Sequence, residues 1–132
     1  MMGHQINYYN GALTVRIDGR VHTQETLQDI RQHLDQLEGR AAVVLDFTLC
    51  TGLDQQFKSM LYRILQHQSV AAVGICGINT MVEADVRDIV TVLSRVRRVV
   101  VKPTETDLLT TFGLAAPPQR KLTGMLAYLK KE

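Results

Sequence analysis

AAVVLDFTLCTGLDQQFKSMLYRIL, residues 41–65, decides the fold class of this 132-residue chain. The stretch opens as an apolar run that reaches Asp46, which is typical of a strand buried on both faces of a parallel sheet. After a loop of small residues at 48–52, it restarts at Asp54 as an amphipathic helix. Apolar residues follow at helical spacing: Phe57, Met60, Leu61, Ile64 and Leu65. The unit is therefore strand, loop and helix, and loops at the carboxyl ends of strands commonly meet ligands and partners.

The flanking sequence predicts an α/β sandwich with a mostly parallel sheet. Asn10-Gly11 favours a two-residue hairpin turn between two amino-terminal strands. Further apolar runs at 70–78 and 99–101 predict later strands, with amphipathic stretches between them. The predicted order is β-β-α-β-α-β-α-β-α, a hairpin followed by alternating helices and strands. Hydroxyl residues that we expect to cap these helices are Thr23, Thr80 (with Glu83 three residues later) and Thr104.

The segment Ala115-Ala116-Pro117-Pro118 is the one linker-like stretch. We therefore expect a domain at 1–114, followed by a proline-containing linker and a carboxyl-terminal amphipathic helix within 115–132. That helix would pack on the domain or on a second copy of the chain, so a homodimer is left open.

Composition excludes several classes of function. The apolar fraction of 45% supports one ordinary core, and the net charge of +2 argues against a nucleic-acid partner. No apolar run approaches the roughly 20 residues of a membrane span, and the first residues lack the pattern of a secretory signal, so we expect a cytoplasmic protein. The two cysteines, Cys50 and Cys76, fall beside or within apolar strands, which favours buried free thiols in a reducing cytoplasm.

For three groups of residues a functional interpretation is possible, but a structural role is favoured. Cys76 lies at a strand end, but no histidine is placed to activate it, and the four histidines lack metal-site spacing. Asp46 and Asp54 would either act as paired carboxylates or serve as a loop anchor and a helix cap; the second interpretation is favoured. A basic cluster around the last strand would either meet an acidic partner or phosphates, or form the solvated rim of an edge strand. The rim is the favoured interpretation for these residues: Arg95, Arg97, Arg98 and Lys102.

The strand end Leu45-Asp46, with a second aspartate, Asp54, eight residues later at a helix start, resembles a STAS domain, the fold of bacterial anti-sigma-factor antagonists. The resemblance covers about residues 5 to 113. The family places two hydroxyl residues and a glycine after the second aspartate, one hydroxyl being the phosphorylated residue. Here Gln55, Gln56 and Phe57 stand there, so the resemblance does not carry over a kinase-operated switch. The segment 69–79 also resembles the STAS/SEC14-like group.

These observations predict a non-enzymatic regulatory or scaffold module without a cofactor or metal. We expect it to bind a protein partner, for which an anti-sigma factor or another signalling protein is the candidate. The predicted contact residues lie at 48–58: Thr51, Asp54, Gln55, Gln56 and Lys58. The alternative is a small-ligand or lipid-binding domain of SEC14-like type with a pocket between the sheet and the last helices.

Overall fold

Ten regular elements occur in the residues that the computed structural model describes, which are 3–21 and 24–114. They are β1 (Gly3–Tyr9), β2 (Ala12–Val21), α1 (Glu25–Gln36), β3 (Ala41–Asp46), β4 (Cys50–Leu53), α2 (Gln55–Ile64), β5 (Val70–Cys76), α3 (Glu83–Leu93), β6 (Val99–Val101) and α4 (Glu105–Thr111).

The sheet has the strand order β1-β2-β3-β5-β6, with β4 paired to β2 alone. Only the β1–β2 hairpin is antiparallel among the described strands; the other pairs are parallel. Its turn is formed by Asn10 at φ 49° and Gly11 at φ 85°, the positive angles that a tight two-residue hairpin requires. The predicted α/β class, the hairpin and the mostly parallel sheet are confirmed.

The strand β4 was not predicted, because the sequence at 48–52 was interpreted as a loop. It forms beside β2, which is ten residues long and therefore extends beyond the end of β3. The first part of β2 pairs with β3, and its last part pairs with β4 after a register shift at Gly19 (φ 69°). The four residues of β4, Cys-Thr-Gly-Leu, are too few to show a strand periodicity, so the sequence pattern does not reveal this strand.

The core has two parts, one on each face of the sheet. The larger part contains the buried sides of α1, α2 and α3, with Leu34, Leu61 and Ile89 fully buried. On the opposite face α4 lies close to β5, because Gly74 leaves no side chain between the strand and Leu108.

The helix starts differ in how well they were predicted. Asp54 and Thr104 cap α2 and α4 as expected, each accepting a hydrogen bond from the backbone three residues later. The predicted cap Thr80 is wrong, because α3 begins at Glu83 after Val82, without a side-chain cap. The predicted cap Thr23 lies outside the described residues.

None of the helices in the described part of the chain is long and apolar enough to cross a bilayer. The linker and helix expected within 115–132 lie outside the described residues. The domain boundary at 114 therefore stays a prediction.

Candidate functional site at the carboxyl ends of β3 and β5

The two aspartates of the strand–loop–helix unit each have a local structural role. The Asp46 carboxylate accepts hydrogen bonds from the Thr48 backbone N–H (2.9 Å) and hydroxyl (2.6 Å), which closes the turn after β3. The Asp54 carboxylate accepts from the Phe57 backbone N–H at 2.7 Å and caps α2. This geometry matches the favoured interpretation, a loop anchor and a helix cap.

The predicted contact residues divide between surface and interior. Thr51 on β4 is exposed, as are Gln55 and Gln56 in the first turn of α2. Asp54 is half-buried beneath them. Lys58 is 5% exposed, so its aliphatic stem lies within the protein and its ammonium group is not free to meet a partner.

The Lys58 ammonium group instead joins α2 to α3. It donates to Asp85 at 2.8 Å and to Asp88 at 3.3 Å. The hydrogen bond that Lys58 donates to Asp85 is the largest cause of a raised Lys58 pKa, although desolvation opposes it, so the lysine stays charged at neutral pH. Because Asp85 lies in the first turn of α3, this ion pair holds the amino-terminal turns of the two helices side by side.

A residue that the sequence analysis missed, Asn79, connects the two loops at this edge. Its side-chain N–H groups donate to the backbone carbonyl oxygens of Phe47 (3.0 Å), Thr48 (3.2 Å) and Cys50 (2.9 Å). Its side-chain oxygen accepts from the Met81 backbone N–H at 2.8 Å. An amide offers two N–H donors and an acceptor in one short side chain, and an asparagine three residues after a strand was the available signal.

Three large apolar side chains are exposed on the same two loops. Leu49 precedes β4 and is 54% exposed, while Ile78 and Met81 follow β5 and are 40% and 68% exposed. Asn79 lies between the latter two in sequence and is hydrogen-bonded to the carbonyl groups on either side of Leu49. The loops therefore present apolar side chains next to the amino terminus of α2. We call this the carboxyl-edge surface: Leu49, Thr51, Gln55, Gln56, Ile78 and Met81.

Neither the Cys76 thiol nor a metal site provides reactive chemistry in the described part of the chain. Cys76 is buried, and desolvation together with the nearby Asp46 charge raises the pKa of its thiol to about 12. Such a thiol is protonated at neutral pH and is a poor nucleophile. Within residues 3–21 and 24–114 no group of three histidine, cysteine or acidic residues is arranged to hold a metal ion.

The basic cluster near the last strand also makes local contacts. Arg97 donates to the carbonyl oxygens of Gln66 (2.7 Å) and His67 (3.1 Å), and the Arg98 guanidinium lies 5.3 Å from the centre of the Phe112 ring. These two arginines therefore support the packing of neighbouring elements.

The pocket expected between the sheet and the last helices is small in the described part of the chain. A hollow of about 70 Å³ lies there, lined by polar side chains that include Arg16, Asp46 and Glu105. Small-molecule sites usually enclose about 300–1,000 Å³. The space next to α4 is instead filled by Leu108 and Phe112.

Comparison with solved structures identifies the architecture. The anti-sigma factor antagonist SpoIIAA in its unphosphorylated form superimposes with a TM-score of 0.58, at 10% identity, over 84% of this chain and 98% of that protein. The fold is STAS-like. A DUF3478-family protein from Shewanella loihica PV-4, described as having a SpoIIAA-like fold, gives a TM-score of 0.59 at 14% identity, over 83% of this chain and 92% of its own.

At these identities the likeness concerns the STAS-like fold alone. No family model matches the sequence, and no curated protein matches it.

Proposed function

We propose that this STAS-like chain is a non-enzymatic regulatory or scaffold module that docks a protein partner on the carboxyl-edge surface. The observation that carries the proposal is the exposure of Leu49, Ile78 and Met81 on two loops that one asparagine holds together. Exposed apolar side chains that cluster beside polar groups are typical of protein interaction sites, whereas isolated ones need no explanation.

The first turn of α2 supports the same surface. The other described helices carry acidic residues in their first turns, where a carboxylate stabilises a helix by about 0.3–1 kcal/mol. The first turn of α2 has none and presents Gln55 and Gln56. The carboxylate at this helix start is the half-buried cap Asp54, so the exposed residues of the turn are neutral, which suits a surface that a partner desolvates.

The partner class comes from the fold likeness and is part of the proposal. SpoIIAA is named as an antagonist of an anti-sigma factor, and such antagonism is a protein-binding activity. A partner of this chain is accordingly sought among anti-sigma factors and related signalling proteins. Since glutamine cannot accept a phosphate, phosphorylation at positions 55 and 56 would not regulate binding.

A quantitative affinity capture from the native cell tests this proposal. The variant pair Leu49→Asn and Met81→Gln removes apolar contact area while keeping side chains of similar size. Val96→Thr is the matched control, because Val96 is also exposed (48%) but follows α3 near the amino ends of the strands. We expect the same captured protein to be lost with the double variant and retained with the control. Equal recovery with all three baits would overturn the proposal.

A further inference from the structure

A second concave site lies away from the carboxyl-edge surface, between α1 and α2. It is a groove of about 480 Å³, within the range of small-molecule sites. Leu27 from α1 and Met60 and Ile64 from α2 provide its apolar lining, and Arg31 and Arg63 stand at its sides. The groove is formed by the middle and the carboxyl-terminal half of α2, whereas the carboxyl-edge surface uses the start of that helix.

The charged side chains that line the groove are arginines, and the Asp35 carboxylate lies outside the lining, beside Arg31 and His67. None of its described lining residues is acidic, and the polar ones other than the arginines are neutral glutamines and a histidine. Arg63 is exposed, and its guanidinium group makes no hydrogen bond or ion pair with another described residue. Arg31 is 3.9 Å from the Asp35 carboxylate, at the outer limit of an ion pair, and both side chains are largely exposed. The two guanidinium groups are therefore accessible to an added anion.

One end of the groove is fixed by hydrogen bonds before any ligand arrives. His67 interacts with the Asp35 carboxylate at 2.8 Å and accepts from the Ser69 backbone N–H at 3.0 Å. Arg97 donates hydrogen bonds to the backbone carbonyl oxygens of Gln66 and His67. Sites that are largely pre-formed lose less free energy to ordering when a ligand binds.

We propose that this groove binds a single-chain anionic amphiphile. The alkyl chain would lie along Leu27, Met60 and Ile64, and a carboxylate or phosphate head group would meet Arg63 and Arg31. Arginine suits both head groups because its planar guanidinium can donate two parallel hydrogen bonds to either of them. This inference is independent of the docking function and rests on different residues.

The size of the groove favours an amphiphile over a partner helix. An α-helix about 10 Å wide with a pitch of 5.4 Å occupies roughly 420 Å³ in each turn. The groove therefore holds about one turn, whereas helices recognised in grooves present apolar anchors over at least two turns. A flexible alkyl chain fills a short groove without this requirement.

Methionine-methyl NMR of the full chain tests the proposal, with dodecanoate and dodecyl phosphate as probes below their micelle-forming concentrations. We expect saturable binding of at least one probe, with the Met60 methyl signal shifting and the Met81 signal, on the carboxyl-edge surface, unchanged. The preferred probe reveals whether the head group is a carboxylate or a phosphate. The cationic analogue dodecyltrimethylammonium should leave the Met60 signal in place.

The variant Arg63→Gln provides the charge test, with Arg95→Gln as a matched control because Arg95 is exposed and lies outside the groove lining. We expect the affinity for the better probe to fall about tenfold in Arg63→Gln, equivalent to about 1.4 kcal/mol, and to stay unchanged in Arg95→Gln. The proposal is overturned by the absence of saturable binding, by equal binding of the cationic analogue, by an unshifted Met60 signal, or by unchanged affinity in Arg63→Gln.

Discussion

The side-chain amide of Asn79 donates a hydrogen bond to the backbone carbonyl oxygen of Cys50 at 2.9 Å. This contact crosses from the loop after β5 to the first residue of β4. With the bonds to the Phe47 and Thr48 carbonyls, it makes one surface of two loops that lie 29 to 32 residues apart in sequence. The apolar residues of the carboxyl-edge surface are held on that scaffold.

Replacing Asn79 tests this scaffold. Asn79→Ala should lower the free energy of unfolding by about 1–3 kcal/mol, because partly buried carbonyl groups lose their donors. Asn79→Asp should be at least as destabilising, since a carboxylate directed at carbonyl oxygens repels them. Urea denaturation followed by circular dichroism measures both changes, with the exposed Asn7→Ala as control. If Asn79→Ala were as stable as the control, Asn79 would not hold the loops together.

The glycine at position 77 supports the same edge of the sheet through close packing. Its φ is 69°, and a Cβ atom there would collide with Asp46 and Thr48. Gly77→Ala should therefore be strongly destabilising, through backbone strain of about 1–2 kcal/mol and a steric cost of about 1–3 kcal/mol. Thermal denaturation provides the measurement.

Alanine substitutions at two other glycines separate the cost of backbone strain from the steric cost. Gly113 has a φ of 74° with open space around it, so Gly113→Ala should show the strain alone. Gly39 has neither feature, and Gly39→Ala should leave the stability unchanged or raise it by up to about 1 kcal/mol. We therefore expect Gly39→Ala to be the most stable of the three variants, Gly113→Ala to be intermediate and Gly77→Ala to be the least stable. Any other order would contradict the packing described at this edge of the sheet.

Much of this fold could be predicted from local sequence patterns, but the contacts that build the carboxyl-edge surface could not. The fully buried run Ala41–Leu45 and the helix face containing Phe57 and Leu61 are periodic, so the central strand and α2 were predicted. β4 and the Asn79 contacts depend on pairings between distant segments, which leave no periodic signal. For the same reason the sequence placed Lys58 among the contact residues, although its ammonium group is paired with two aspartates of α3.

The central strand gives a direct test of the fold. Val44 is fully buried between β2 and β5, on the face that α4 covers. Val44→Asp should prevent folding, since burying an unpaired carboxylate costs several kcal/mol against a total stability of roughly 5–15 kcal/mol. A native circular dichroism spectrum with a near-normal melting temperature would show that the strand is misplaced.

Burial of Cys76 predicts how its reactivity depends on pH. Its folded-state pKa of about 12 exceeds the ordinary value of 9.0, so the neutral thiol stabilises the fold below pH 9 and this contribution is lost between pH 9 and pH 12. Iodoacetamide at about pH 8 should label Cys76 slowly in the native protein and rapidly in concentrated guanidinium, because the thiolate is the reacting form. Equal rates in the two states, read by peptide mass spectrometry, would place this thiol on the surface.

The docking claim is tested most directly by adding charge at the start of α2. The double variant Gln55→Glu and Gln56→Glu should melt at or slightly above the wild-type temperature, because carboxylates stabilise a helix amino terminus by about 0.3–1 kcal/mol. Exposed Gln32 and Gln68, away from this surface, provide the charge-matched control Gln32→Glu and Gln68→Glu.

The decisive measurement is the affinity of the captured partner for these two folded double variants, taken with their melting temperatures. The account predicts that Gln55→Glu with Gln56→Glu keeps its stability and loses the partner, while the control keeps both. Partner affinity equal to wild type in the folded Gln55→Glu, Gln56→Glu protein would contradict docking at the carboxyl-edge surface.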